Sequence, residues 1–156
     1  MPRLELNHDD GFATGACRYE DSPQDEPQSR RIVIPLRLAD DANITRAVVD
    51  TGAPWSVLNP DRAEKLQNYS MEYRDLRILI RGMNYRGDIW RIPVEMIAHE
   101  GQGFRFEASV FVPKFRSEFD TWNLPEFVGL QGFLDRIRFA VDPEENLFYF
   151  GALGDA

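Results

Sequence analysis

Apolar and polar residues alternate with a period of two along most of this chain, and that pattern constrains the fold more than any other feature. Ile32, Ile34, Leu36 and Leu38 fall on one face. Leu76, Ile78 and Ile80 alternate with Arg77 and Arg81, and Trp90, Ile92, Val94 and Met96 follow. Phe104, Phe106, Ala108, Val110 and Val112 repeat the pattern, as do Ile137, Phe139 and Val141. Such alternation marks half-buried strands. The runs are separated by turn-forming clusters: Asp40-Asp41-Ala42-Asn43, Gly101-Gln102-Gly103 and Asp142-Pro143-Glu144-Glu145-Asn146. The sum is roughly six to eight short strands in an all-β, barrel-like domain. Pro35 cannot donate to a ladder, so the first alternating strand has an edge or a bulge there.

One or two short helices interrupt the strands. Asn59 is a good cap, Pro60 suits the first helical position and Asp61 suits the positive end. Ala63 and Leu66 then face inward, and the helix ends near Asn68. Between Ile80 and Trp90, the stretch Gly82-Met83-Asn84-Tyr85-Arg86-Gly87-Asp88 has a glycine near each end. It reads as the tip of a hairpin. Residues 113–125 read as a loop, with Trp122 either a core plug or part of a substrate wall.

The chain has 156 residues, enough for one domain, and is 43% hydrophobic. Its net charge is -8 at pH 7, which argues against nucleic acid and against an anionic membrane surface as partners. No apolar run reaches the ~20 residues that span a bilayer. The N-terminus, Met1-Pro2-Arg3-Leu4-Glu5, lacks the apolar core of a signal peptide. The single cysteine, Cys17, excludes an internal disulfide, so a reducing, cytoplasmic setting is expected. Cys17 reads as a bystander thiol. His8-Asp9-Asp10 reads as solvated surface, and with one cysteine and two histidines no metal site or cofactor is expected. Residues 1–31, polar and acidic around Asp21–Ser29, read as an N-terminal extension or linker to a domain over 32–156. Leu4 and Leu6 suit a short strand there.

Ala47-Val48-Val49-Asp50-Thr51-Gly52-Ala53-Pro54-Trp55-Ser56-Val57-Leu58 stands apart. A β-branched run ends on a carboxylate, a Thr-Gly turn follows, and apolar residues resume at once. Val48 and Val49 are expected to be buried, with Asp50 held at the strand's exit.

Asp50-Thr51-Gly52-Ala53 and its flanks resemble the active-site strand and turn of the retropepsin-like aspartic proteases. Phe127-Val128-Gly129, followed by a short helix near Phe133–Arg136, is similar to the family's second motif. There, two bulky apolar residues and a glycine pass close behind the catalytic turn. The resemblance covers roughly residues 32–151. It implies an all-β, retropepsin-like acid-protease barrel and an aspartic endopeptidase. The chain carries a single Asp-Thr-Gly, and Asp120-Thr121-Trp122 is not a second copy. The implied enzyme is therefore a two-fold homodimer with one Asp50 from each subunit.

Further roles follow from the resemblance. Asp50 is catalytic. Thr51 supports it by bonding across the dimer, and Gly52 by letting its N–H reach the carboxylate. Ala53 lines the substrate cleft, and Met83, Asn84 and Tyr85 bind substrate from a flap over residues 82–88. Trp55 narrows the cleft or forms a specificity wall. The C-terminal strand, Leu147–Phe150, is the expected contributor to a dimer sheet. The partners implied are a peptide or protein substrate and a second copy of the chain. Two alternatives stay open: a catalytically silent retropepsin-like dimerisation or peptide-binding module, and an unrelated small barrel in which Asp50 only caps a turn.

Overall fold

A computed structural model describes residues 11–21, 31–114 and 122–154. Leu4, Leu6, His8, Asp9, Asp10, Asp120 and Thr121 lie outside the described residues, as does most of the acidic stretch 21–29. The strands are β1 (Gly15–Arg18), β2 (Glu20–Asp21), β3 (Ile32–Leu38), β4 (Thr45–Val49), β5 (Ser56–Val57) and β6 (Ser70–Ile80). They continue with β7 (Met83–Met96), β8 (Glu100–Gly101), β9 (Phe104–Pro113), β10 (Phe127–Val128), β11 (Ile137–Asp142) and β12 (Leu147–Ala152). Two short 3-10 segments, Pro60–Leu66 and Leu134–Arg136, are the helical parts among the described residues.

Six strands close on themselves in the order β3, β4, β10, β5, β9, β7 and back to β3. The expected all-β barrel with two short helical segments is the observed fold. Long β7 makes closure possible by sharing one edge between two partners. It pairs with β6 along Met83–Arg91 and with β3 along Val94–Met96. Pro93 falls in the gap between them. Pro35 sits in a similar gap on β3, between the partners β2 and β7. Both prolines lie where the ladder on that side changes hands, so a missing N–H is tolerated.

β9 divides the interior. Val110 and Val112 join the main core with Ile34, Leu36, Ile92, Val94 and Met96, whereas Phe111 joins a smaller cluster with Val57, Ile80, Ile89 and Phe127. Alternation thus serves two apolar faces here, and Ala108 to Val112 is buried throughout.

A second sheet packs against the barrel in the order β11, β12, β1, β8. Cys17, Phe148 and Phe150 carry its apolar face into the main core. Part of the expected extension over residues 1–31 is therefore built into the fold. β1 pairs with both β12 and β8, and β2 pairs with β3. Gly15-Ala16-Cys17 has side chains too small to show a large-residue alternation, yet all three are buried.

The helix expected from Asn59 is present in tighter form. The Asn59 side chain accepts from the Asp61 N–H at 3.0 Å, and Leu66 is buried. It ends at Leu66, two residues before the expected Asn68, and is wound as a 3-10 helix throughout. No helix among the described residues is long and apolar enough to cross a membrane.

Candidate active site

β4 runs between β3 and the short β10, antiparallel to the first and parallel to the second. β10 lies between β4 and β5, two strands that precede it in the chain, so it must insert behind the turn that joins them. Asp50 is the first residue past β4. Its N–H donates to the Val128 carbonyl at 2.9 Å, and its own carbonyl accepts from Ala53 N–H at 3.2 Å. Gly52 N–H donates to Asp50 Oδ1 at 3.0 Å, which fixes the carboxylate's rotamer. Asp50, Thr51 and Gly52 are all exposed, and Ala53 is half-buried.

The chain after β10 fastens the other side of this turn. Leu130 N–H donates to Ala53 O and Gln131 N–H to Pro54 O, both at 2.8 Å. Gly129 N–H donates to the buried Ser56 hydroxyl at 2.9 Å. A Cβ on Gly129 would sit 2.5 Å from the Trp55 carbonyl carbon and 2.7 Å from Ala53 O. The crowding expected behind the turn is present, and only a residue without a side chain fits it.

Arg62, from the first 3-10 segment, braces β10 from outside. Its Nε meets Glu126 Oε2 at 2.6 Å and an Nη meets Glu126 Oε1 at 2.7 Å. The guanidinium also donates to the Thr45 hydroxyl at 2.8 Å and approaches Asp41 at 3.4 Å. The two-pronged pairing with Glu126 holds the Arg62 guanidinium above its ordinary pKa. Asp41 accepts from the Asn43 N–H, and this, with Lys65 and Arg62 nearby, holds its carboxyl below the ordinary value. Glu126 also accepts the Val48 N–H through its backbone carbonyl at 2.9 Å. One residue therefore ties the helical segment to the strand that carries Asp50. Sequence pattern does not reveal this group, because Arg62 and Glu126 are 64 positions apart in the chain.

Asp50 and Gly52 open onto a groove of about 500 Å3. Val48, Val49, Val57 and Phe127 line it from the barrel, and Ile78 and Ile80 line it from the β6–β7 hairpin. Val48 and Val49 are half-buried, not buried as expected: Val48 packs on the smaller cluster, Val49 on the main core, and both residues border this groove. Ala53 and Trp55 line it too.

The hairpin reaches the groove with different residues from those expected. β6 ends at Ile80, the turn is Arg81-Gly82, and β7 begins at Met83. Both turn residues have positive φ, 49° and 81°, as a two-residue hairpin turn of the primed type requires. Residues 82–88 are therefore mostly strand. Gly87 is not a turn glycine but a buried ladder position, where a Cβ would lie 2.7 Å from the Phe111 ring. Met83 and Asn84 are exposed, and Tyr85 packs edge-on against Trp122 with ring centres 5.7 Å apart. None of these three lines the groove. Ile78, Leu79, Ile80 and Arg81 do. Trp122 packs on the smaller core cluster, as a plug would.

The expected dimer contribution of Leu147–Phe150 is overturned. β12 has β11 on one edge and β1 on the other, and Leu147 to Phe150 are buried. No free edge remains there for a second copy.

No family model matches the chain, and no curated protein matches it. Among solved structures it is similar to EIAV protease complexed with the inhibitor HBY-793. The TM-score is 0.40 and the identity 18%, over 67% of this chain and 86% of that chain.

Proposed function

We propose that this protein is an aspartic endopeptidase that acts as a homodimer, with the Asp50 turns of two copies meeting at the two-fold axis. The observation that carries the reading is the exposed Asp50 carboxylate. It is oriented by the Gly52 N–H, borders a largely apolar groove, and is held by a turn that Gly129 backs at contact distance. Water attacks a peptide carbonyl only if a base removes its proton and an acid protonates the carbonyl oxygen. Two carboxylates sharing one proton supply both, because like charges about 3 Å apart do not ionise together easily. Aspartic proteases are the standing example of such a pair.

In this reading Asp50 alternates as base and acid. The Thr51 hydroxyl, without a hydrogen bond among the described residues, is available to the partner's turn. The β6–β7 hairpin covers the substrate through Ile78–Arg81 and excludes water. Met83, Asn84 and Tyr85 then shape the hairpin and do not touch the scissile bond. The test is cleavage of a diverse peptide library from pH 3 to 7, alongside sedimentation. Cleavage by a dimer that Asp50→Asn abolishes, with the dimer retained, supports the protease. A wild-type dimer that cleaves nothing supports the silent module instead.

A further inference from the structure

The groove beside Asp50 has an electrostatic character that the overall composition does not suggest. The chain has 26 acidic and 18 basic residues. Yet Asp50 is the only carboxylate among the described residues that line the groove, and two arginines, Arg31 and Arg81, line it as well. Several arginines of the barrel are paired where they stand. Arg37 meets Glu95, Arg46 meets Glu20, Arg62 meets Glu126, and Arg91 meets Glu107. Among the described residues Arg31 and Arg81 meet no carboxylate at all. They also come from separate parts of the chain. Arg81 sits at the hairpin turn, and Arg31 leads into β3. The rest of the lining is largely apolar and includes Val57, Ile78, Ile80 and Phe127.

We infer that the groove selects extended peptides that carry acidic side chains close to an apolar residue. The inference rests on the endopeptidase reading for its cleavage step, but the charge preference itself requires only the groove. An apolar side chain removes the apolar lining from water, while a nearby Glu or Asp of the peptide pairs with a guanidinium that meets no carboxylate among the described residues. An ion pair at this degree of exposure favours the acidic peptide over its amide counterpart by about twofold to fivefold for each side chain. The preference weakens with salt, because the pairs are screened. It also fades below about pH 4, where a peptide glutamate is protonated. In a dimer the two-fold axis repeats Arg31 and Arg81 on the far half of the groove, so the preference applies on both sides of the cleaved bond.

The test uses three fluorogenic peptides with one apolar core and flanking Glu, Gln or Lys, read as kcat/KM at pH 5.5. The expected order is Glu above Gln above Lys, compressed by 0.5 M salt, and inverted by Arg81→Glu combined with Arg31→Glu. The peptide series on the wild-type protein stands even if the doubly reversed variant fails to fold. Cleavage with equal rates for all three peptides overturns the inference and leaves the protease intact, as does an order that both charge reversals leave unchanged. If nothing is cleaved, anisotropy of the labelled peptides decides. Binding in the same order sustains the charge selection and sinks the protease reading, and binding without order sinks both.

Discussion

Gly129 lies against Trp55 so closely that a Cβ on it would stand 2.5 Å from the Trp55 carbonyl carbon. This contact is backbone against backbone, so no rotamer change relieves it. It welds the segment after β10 to the turn that carries Asp50. Gly129→Ala must therefore push the two segments apart, and the expected loss of stability is about 2–3 kcal/mol. Urea unfolding measures it. Cleavage should fall further than stability does, because Leu130 N–H and Gln131 N–H hold the same turn. An alanine variant with an unchanged urea midpoint would contradict the packing described.

Arg62 and Glu126 form a two-pronged pair with only 20% and 15% of their side chains exposed. A lysine keeps the charge but cannot match two oxygens and Thr45 together. Arg62→Lys should cost about 1–2 kcal/mol. Combined with Glu126→Gln, the loss should be smaller than the sum of the two single losses, because both variants break the same pair. Strictly additive losses in a double-mutant cycle would show that the pair does not couple.

The lowered Asp41 carboxyl makes one part of stability pH-dependent. Its main cause is the hydrogen bond from the Asn43 N–H, helped by Lys65 and Arg62. A carboxyl held below its ordinary value of 3.8 contributes stability that is fully present above that value. The contribution is lost as pH falls through the folded-state value. Asp41→Asn should therefore have a lower urea midpoint than wild type at pH 6, and the gap should narrow as pH falls below 3.8. A gap of constant size would refute the assignment.

Burial pushes the Cys17 thiol up to about 12, in keeping with its place in the main core. At pH 8 the native protein should resist iodoacetamide and the urea-unfolded protein should label quickly. Native labelling at the unfolded rate would show that β1 detaches readily from β12. The thiol also ties stability to alkaline pH. Its folded value is raised above 9.0, so its contribution is present below pH 9 and lost as pH rises toward 12.

Strong alternation made the barrel legible. Ile34, Leu36, Ile92, Val94 and Met96 are large, regularly spaced and buried where a period of two places them. The Asp50 turn was legible through its resemblance to a known motif, and the glycine behind it has a physical reason: backbone atoms of Ala53 and Trp55 leave no room for a side chain on Gly129. Other features left weaker traces. Gly15-Ala16-Cys17 buries small side chains, which carry little periodic signal. Gly82 and Gly87 look alike in sequence, yet one turns the chain and the other yields space to Phe111, a residue 24 positions further on. The contact of Gly87 with Phe111 is long-range, so local pattern does not show where the hairpin turns or which of its residues face the groove. The occupied edges of β12 depend in the same way on β1, more than a hundred residues earlier in the chain.

Subunit mixing tests the shared carboxylate pair most directly. Wild-type protein and Asp50→Asn are combined at constant total concentration, allowed to exchange subunits, and assayed for cleavage. If each active centre needs one Asp50 from each of two copies, activity falls as the square of the wild-type fraction, to about one quarter at an equal mixture. A linear fall, to one half at the same mixture, would mean that each copy works with its own Asp50 alone.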